Sequence, residues 1–154
     1  MKTALFLVSI ICLFAIQSCK YTSVLPEEVP QGLIILYTLK VDDSKESKYL
    51  KVTNDSVVYE KSDVTGKKSS LSSKIERDIL EYLYKELLTN NFDLLKNVKP
   101  KETKDSGFVE SMSIVFPNFS HSVSNGTNYP LESGIQAQKF QRIKKRLLML
   151  VSEQ

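Results

Sequence analysis

The alternation of apolar and polar residues predicts three strands in the first half of the chain. From Gly32 onward, one face of the first strand is apolar at Leu33, Ile35, Tyr37, Leu39 and Val41. Ile34 and Leu36 make its other face apolar as well, which is typical of a strand at the centre of a sheet. Residues 49–53 and 56–61 are rich in Val and Tyr, and the Asn54-Asp55 pair between them predicts a tight hairpin.

A helical period follows the break in the pattern at residues 66–70. We expect the first helix to begin at Ser73, because Ser73 and Glu76 have the spacing of a capping box. Its buried stripe is predicted at Ile75, Ile79, Leu80, Leu83 and Leu87. Asn90-Asn91 predicts the end of the helix, since Asn tolerates the left-handed conformation. Phe92, Leu94 and Leu95 are then expected to fold back under the sheet.

The second half repeats the order of strands followed by a helix. After a charged loop at residues 101–106, residues 108–116 form a strand with Met112, Ile114 and Phe116 on one face. Pro117-Asn118 predicts an open corner, because the fixed φ of proline excludes a type I′ turn. Residues 119–124 continue as a strand. Asn125-Gly126 predicts a tight hairpin leading into a short edge strand at residues 127–129.

The last helix is predicted at residues 134–151 with Ser133 as its cap. Its apolar stripe contains Phe140, Ile143, Leu147, Leu150 and Val151, and its opposite side is basic at Lys139, Arg142, Lys145 and Arg146. The fold class is therefore α+β: an antiparallel sheet of about five strands with two helices packed on one face, in the order β-β-β-α-β-β-α. Residues 32–154 form one domain of this kind.

The N-terminal residues have the pattern of a secretory leader. Lys2 provides a positive start, and residues 4–16 are apolar except for Ser9. As a helix this run reaches roughly 20 Å at 1.5 Å per residue, well short of the ~30 Å hydrocarbon core of a bilayer. We therefore predict a signal peptide at residues 1–18 rather than a permanent transmembrane helix.

The end of this leader, Ile16-Gln17-Ser18-Cys19, resembles the lipobox of bacterial lipoproteins. Gln17 differs from the Ala, Ser or Thr usual at its position. The resemblance implies that Cys19 becomes the new N-terminus and carries the lipid anchor, palmitate included. It also implies a place in the cell envelope, with the outer membrane as the expected site. The predicted order of elements loosely resembles small lipoproteins of unknown function.

The use of cysteine agrees with acylation. Cys12 lies in the leader, so the mature chain keeps the single thiol of Cys19 and forms no internal disulfide. The alternative is a eukaryotic secreted glycoprotein, since Asn54, Asn118 and Asn125 each begin an acceptor sequon. Residues 19–31 are predicted to be the lipidated cysteine and an extended tether, which spans up to roughly 35 Å from the lipid.

Charge and composition restrict the choice of partners. The leader contains one of the 21 basic residues and none of the 18 acidic ones, so the mature chain is close to neutral. This balance argues against nucleic acid as a partner. The five glycines do not cluster into a phosphate-binding loop. The chain has one histidine, and its acidic residues lack the spacing of a calcium loop, so we predict no metal site and no cofactor.

Candidate catalytic residues are few. His121, the only histidine, is predicted to be a half-buried strand residue. A small exported hydrolase using His121 and a nearby serine is the alternative, although no serine lies in a Gly-x-Ser-x-Gly elbow. We expect instead a non-catalytic binding or structural role, with a membrane surface, an envelope protein or a glycan as partner. The basic side of the last helix either contacts anionic headgroups or is simply solvated.

Overall fold

A six-stranded antiparallel sheet forms one layer of the protein. The computed structural model describes residues 22–98 and 107–152. Within these residues the strands are β1 (Ile34–Val41), β2 (Ser47–Thr53), β3 (Ser56–Ser62), β4 (Lys68–Lys74), β5 (Phe108–Phe116) and β6 (Phe119–Gly126). Their order across the sheet is β4-β3-β2-β1-β5-β6. The predicted α+β class is confirmed, with six strands instead of about five.

The strand predicted to be central is central. β1 lies between β2 and β5, and Ile35 is directly opposite Val52 on one side and Ile114 on the other. These three side chains are buried on the face that the helices cover. Ile34 and Leu36 are half-buried on the opposite face, hereafter the open face.

β4, a strand that the sequence did not predict, begins within residues 66–70, where a break was predicted. The turn before it is built by Asp63, whose carboxylate accepts the N–H groups of Thr65 and Lys67 at 2.9 and 3.0 Å. Gly66 completes this turn with a φ of 86°. The chain then returns along β3, so Ser73 lies opposite Val57 in the sheet. The predicted capping box at Ser73 is wrong.

Helix α1 (Arg77–Thr89) begins four residues later than predicted, with Glu76 at the N-cap and no side-chain cap. Its buried residues are Leu80, Leu83, Tyr84 and Leu87, whereas Ile79 is exposed. The predicted end is confirmed, because Asn90 is the C-cap and Asn91 has a left-handed φ of 48°. A 3₁₀ turn, Phe92–Leu94, follows. Phe92 and Leu95 are buried as predicted, whereas Leu94 is only half-buried.

The β5–β6 hairpin is tighter than expected. β5 has the predicted bounds, and the strands are joined by the two residues Pro117-Asn118. Asn118 has a φ of 65° and follows a proline. A proline followed by a residue of positive φ is the arrangement of a type II turn. The predicted open corner is wrong, since excluding a type I′ turn does not exclude a tight one.

The region after β6 also differs from its prediction. Gly126 does not turn the chain but ends β6 opposite Val109, where a Cβ atom would collide with Phe108 O. The turn comes two residues later, at Thr127-Asn128, with the N–H of Tyr129 donating to Gly126 O at 3.2 Å. Residues 127–129 form no strand and contribute only an isolated bridge. The predicted charged loop at residues 101–106 lies outside the described residues.

Helix α2 (Gly134–Ser152) completes the helical layer. The N–H of Gln136 donates to Ser133 Oγ at 3.3 Å, which confirms the predicted cap. Phe140, Ile143 and Leu147 are buried, while Leu150 and Val151 pack partly buried at the margin of the core. The two helices run antiparallel, because Ile79 at the start of α1 and Met149 at the end of α2 line the same groove.

The N-terminal segment of residues 22–31, predicted to be a free tether, lies against α1 instead and is called here the docked segment. Leu25 is buried in the core. Asp93 accepts two hydrogen bonds from the segment, from Ser23 Oγ at 2.8 Å and from Val24 N at 2.7 Å. The hydroxyl of Tyr84 donates to Pro26 O at 2.9 Å. A segment with a buried apolar side chain and these hydrogen bonds is part of the domain rather than a spacer.

Candidate functional site

Cys19, the predicted site of lipid attachment, lies outside the described residues. The first described residue is Thr22, at the start of the docked segment. Among the helices that the structure describes, none combines the length and the apolar character needed to cross a bilayer. Lipidation of Cys19 therefore stays a prediction.

The four basic residues of α2 that were predicted as a contact face do not form one surface. Arg142 and Lys145 are exposed, and Lys139 is partly covered. Arg146 points toward α1, where its guanidinium carbon lies 4.4 Å from the ring centroid of Tyr82 and its Nη2 donates to the tyrosine hydroxyl. This cation–π contact joins the two helices. The predicted contact surface is thus reduced to three residues, with Arg146 in the helix interface.

His121 is half-buried, as predicted, and is held by its neighbours. Its Nε2 lies 3.1 Å from the carbonyl oxygen of Leu95, so this nitrogen is the donor. Phe92 packs edge-on against the imidazole at 5.4 Å between centroids. The serines that alternate with it, Ser122 and Ser124, lie on the open face and bond to serines of β5. The described residues therefore bring no serine hydroxyl or carboxylate into hydrogen-bond contact with His121.

The side chain of Asn54, which begins the first sequon, makes two hydrogen bonds within the domain. Its Oδ1 accepts the N–H of Leu33 at 2.9 Å, and its Nδ2 donates to Pro30 O at 3.0 Å. The nitrogen that a glycan would modify is thus engaged in fastening the docked segment to the β2–β3 turn. Asn118 and Asn125 lie at the end of the β5–β6 turn and near the end of β6.

A buried polar cluster that the sequence reasoning missed lies beneath β1 and β5. The carboxylate of Glu110 accepts hydrogen bonds from the Tyr37 hydroxyl at 2.9 Å and from Lys144 Nζ at 2.9 and 3.1 Å. Burial, followed by the charge of Glu110, raises the pKa of Tyr37 well above its usual range. The sequence signal that could have revealed the cluster was Glu110 itself, an acidic residue on the same face of β5 as the apolar Met112 and Ile114. Such a side chain needs a partner in the core.

This cluster is a fastening between the sheet and α2. The Tyr37 hydroxyl and the Lys144 ammonium both donate to the Glu110 carboxylate. Tyr37 and Glu110 are almost fully buried. Lys144 retains about a fifth of its side-chain exposure (21%). In residues 22–98 and 107–152, no three His, Cys, Asp or Glu side chains come together as a metal site.

A concave groove of about 660 Å³, hereafter the helix groove, lies between the first turns of α1 and the last turns of α2. Its floor is apolar, and its rim carries charges of both signs. The apolar lining includes Val57, Ile75, Ile79, Leu83, Met149 and Leu150, and the charged lining includes Lys74, Glu76, Asp78 and Arg146. Ile79 and Tyr82 are exposed by 42% and 49% at its edge. This is the composition of a binding surface, with apolar contacts and a few polar groups that orient the ligand.

The helix groove and the start of the docked segment lie at opposite ends of the helical layer. The segment begins beside Asp93, just after the C-terminus of α1. The groove is lined by the first turns of α1 and the last turns of α2. Sequence reasoning missed this surface because it assigned Ile79 to the core.

No protein-family model matches the sequence, and the search of curated proteins finds no match either. The case for function therefore rests on the residues of this chain alone.

Proposed function

We propose that the protein is a lipid-anchored protein of the cell envelope with a non-catalytic binding role. The observation that carries the proposal is Cys19, the only thiol of the mature chain, at the cysteine position of a lipobox-like sequence. An acylated cysteine accounts both for this position and for the unpaired thiol. The outer membrane is the expected location.

The docked segment supports a close association of the domain with the membrane. Thr22 follows Cys19 by three residues, and three residues span at most about 10 Å. Ser23 and Val24 then bond to Asp93, and Leu25 packs in the core. A lipid on Cys19 would thus hold the C-terminal end of α1 near the bilayer.

The same arrangement leaves the helix groove free to bind a partner. The groove is at the opposite end of the helical layer from Asp93, so an anchored domain presents it away from the lipid. Its exposed Ile79 and Tyr82 are typical of a surface for protein contact. An envelope protein is therefore the favoured partner.

The anchor is tested by the variant Cys19→Ala in the native envelope. We expect the parent to partition with membranes and to incorporate labelled fatty acid, because two or more acyl chains hold a protein stably. The variant should remain unprocessed or become soluble, without label. Equal membrane partition of both proteins, with no label in the parent, would contradict the proposal.

A further inference from the structure

β4 is an edge strand of the described sheet: within residues 22–98 and 107–152, no strand lies beside its outer backbone groups. The N–H of Ile75 donates to Asp55 O at 3.2 Å, and the N–H of Asp63 donates to Lys67 O at 3.1 Å. In this register the odd-numbered residues of β4 bond to β3, and Lys68, Ser70, Ser72 and Lys74 direct their N–H and C=O groups outward. Among the described residues β4 pairs with β3 alone.

The opposite edge of the sheet is treated differently. At β6, the side chain of Asn97 bonds to both backbone groups of Ser124: its Oδ1 accepts the N–H at 2.8 Å, and its Nδ2 donates to the carbonyl oxygen. Leu95 O contacts His121 on the same strand. The chain thus covers part of the β6 edge itself, whereas all four outward-facing residues of β4 are exposed.

The side chains of β4 favour an acidic partner strand. Lys68 and Lys74 lie six residues apart on the open face, and only the small serines Ser70 and Ser72 lie between them. Glu60 lies beside Ser70 on the neighbouring strand, so positive charge is concentrated at the two ends. In the antiparallel register centred on Leu71, a second copy would place its Lys74 opposite Lys68. Like charges directly opposite are destabilising, which disfavours pairing of two copies.

We propose that β4 receives an extended acidic segment of a partner protein as a seventh strand of the sheet. Two carboxylates six residues apart lie opposite Lys68 and Lys74, while backbone hydrogen bonds form along the strand. This inference rests on the proposed binding function and names the chemistry of its partner.

The helix groove provides the second point of contact. Lys74 and Ile75, at the end of β4, line it together with Ile79 and Leu150. The added strand presents alternate side chains to the helix side of the sheet, where an apolar residue beside Ser73 reaches the mouth of this groove. The backbone provides affinity, and the carboxylates and this apolar residue provide specificity.

The probe is a seven-residue peptide with blocked termini, glutamate at both ends and alternating valine and threonine between, with valine next to each glutamate. It is titrated into the full mature chain carrying Cys19→Ser, with amide chemical shifts as the readout. We expect shifts concentrated at Lys68–Lys74 and in the helix groove. The same peptide with lysine at both ends should bind about tenfold more weakly, because two exposed ion pairs are lost.

Two variants separate backbone pairing from charge attraction. Ser72→Pro removes one outward N–H and places a ring in the path of the partner, yet leaves the bonds to β3 intact, as proline on an edge does. We expect it to abolish binding. Lys68→Glu with Lys74→Glu should reverse the preference toward the lysine peptide. Lys85→Glu with Lys96→Glu makes the same charge change elsewhere and should bind like the parent.

Several results would overturn the inference. Binding that survives Ser72→Pro would be charge attraction without strand addition. An absence of shifts in β4 at millimolar peptide, or a dimer formed through β4, would exclude the acidic strand as its occupant. Because the chain is unlipidated throughout, these failures leave the anchoring of Cys19 untouched, and a failure of anchoring leaves the peptide result standing.

Discussion

Glu110 shows how one residue ties the two layers together. Its carboxylate lies at an inward position of β5, where an unpaired charge would be costly, and it holds both Tyr37 of β1 and Lys144 of α2. The side chain of Glu110 is only 8% exposed, whereas that of Lys144 is 21% exposed. The two halves of this ion pair therefore respond differently to loss of the partner.

Lys144→Met should be strongly destabilising, because it leaves the buried carboxylate of Glu110 with Tyr37 as its sole partner. We expect the free energy of unfolding to fall by about 3 kcal/mol. Lys145→Met, one position away and exposed, is the control and should stay within about 0.5 kcal/mol. Denaturant unfolding of both variants measures the difference. Equal effects would mean that Glu110 is adequately solvated without Lys144.

Buried tyrosines predict a loss of stability at alkaline pH. Burial, followed by the charge of Asp93, raises the pKa of Tyr84 to about 12, against 10 in the unfolded chain. The folded state thus retains the Tyr84 proton to a higher pH than the unfolded chain does. The stability gained by burying the neutral phenol is therefore complete below pH 10 and is lost as the pH rises toward 12. Tyr84→Phe should flatten this part of the pH profile. Tyrosinate absorbance tests it: if every tyrosine ionises near pH 10 in a folded protein, the account is wrong.

At the scale of elements, the sequence predicted those whose apolar pattern is regular. One face of β1 is apolar over its whole length, Asn54-Asp55 joins β2 to β3, and Ser133 caps α2. β4 has one apolar residue, Leu71, because an exposed edge needs no second one. No period marks such a strand, and the adjacent Ser73 and Glu76 imitate a helix cap. The helix groove was missed because Ile79, which lines it, was assigned to the buried stripe of α1.

The packing of α2 is tested by Leu147→Ala. Leu147 is fully buried between the helices and the sheet, so its truncation should cost about 2–5 kcal/mol and lower the melting temperature by several degrees.

The exposed side of the same helix provides the matched comparison. Arg142→Glu with Lys145→Glu should leave the melting temperature almost unchanged. Sedimentation of the unlipidated chain with anionic vesicles at low salt then tests these residues as a membrane contact. Binding by the parent that the reversed variant loses would show that they touch the headgroups. Absence of binding by both would show that they are solvated.

At the scale of the whole molecule, the docked segment determines how the domain would be presented. Residues 22–31 run from Asp93 toward the β2–β3 turn, where Pro30 O bonds to Asn54. The sequence predicted a spacer here because Pro26 and Pro30 suggest extended chain. An extended segment can also pack along a helix, and here the buried side chain of Leu25 holds it there. A lipid on Cys19 would therefore hold the domain near the membrane, with the helix groove at the other end of the helical layer.

The central claim is that Cys19 carries the lipid, and mass spectrometry of the N-terminal peptide of the protein isolated from its native membrane tests it most directly. We predict a chain that begins at Cys19 and has the added mass of acyl chains on that residue. A chain that retains residues 1–18, that begins elsewhere, or that begins at Cys19 with a free thiol would contradict the account.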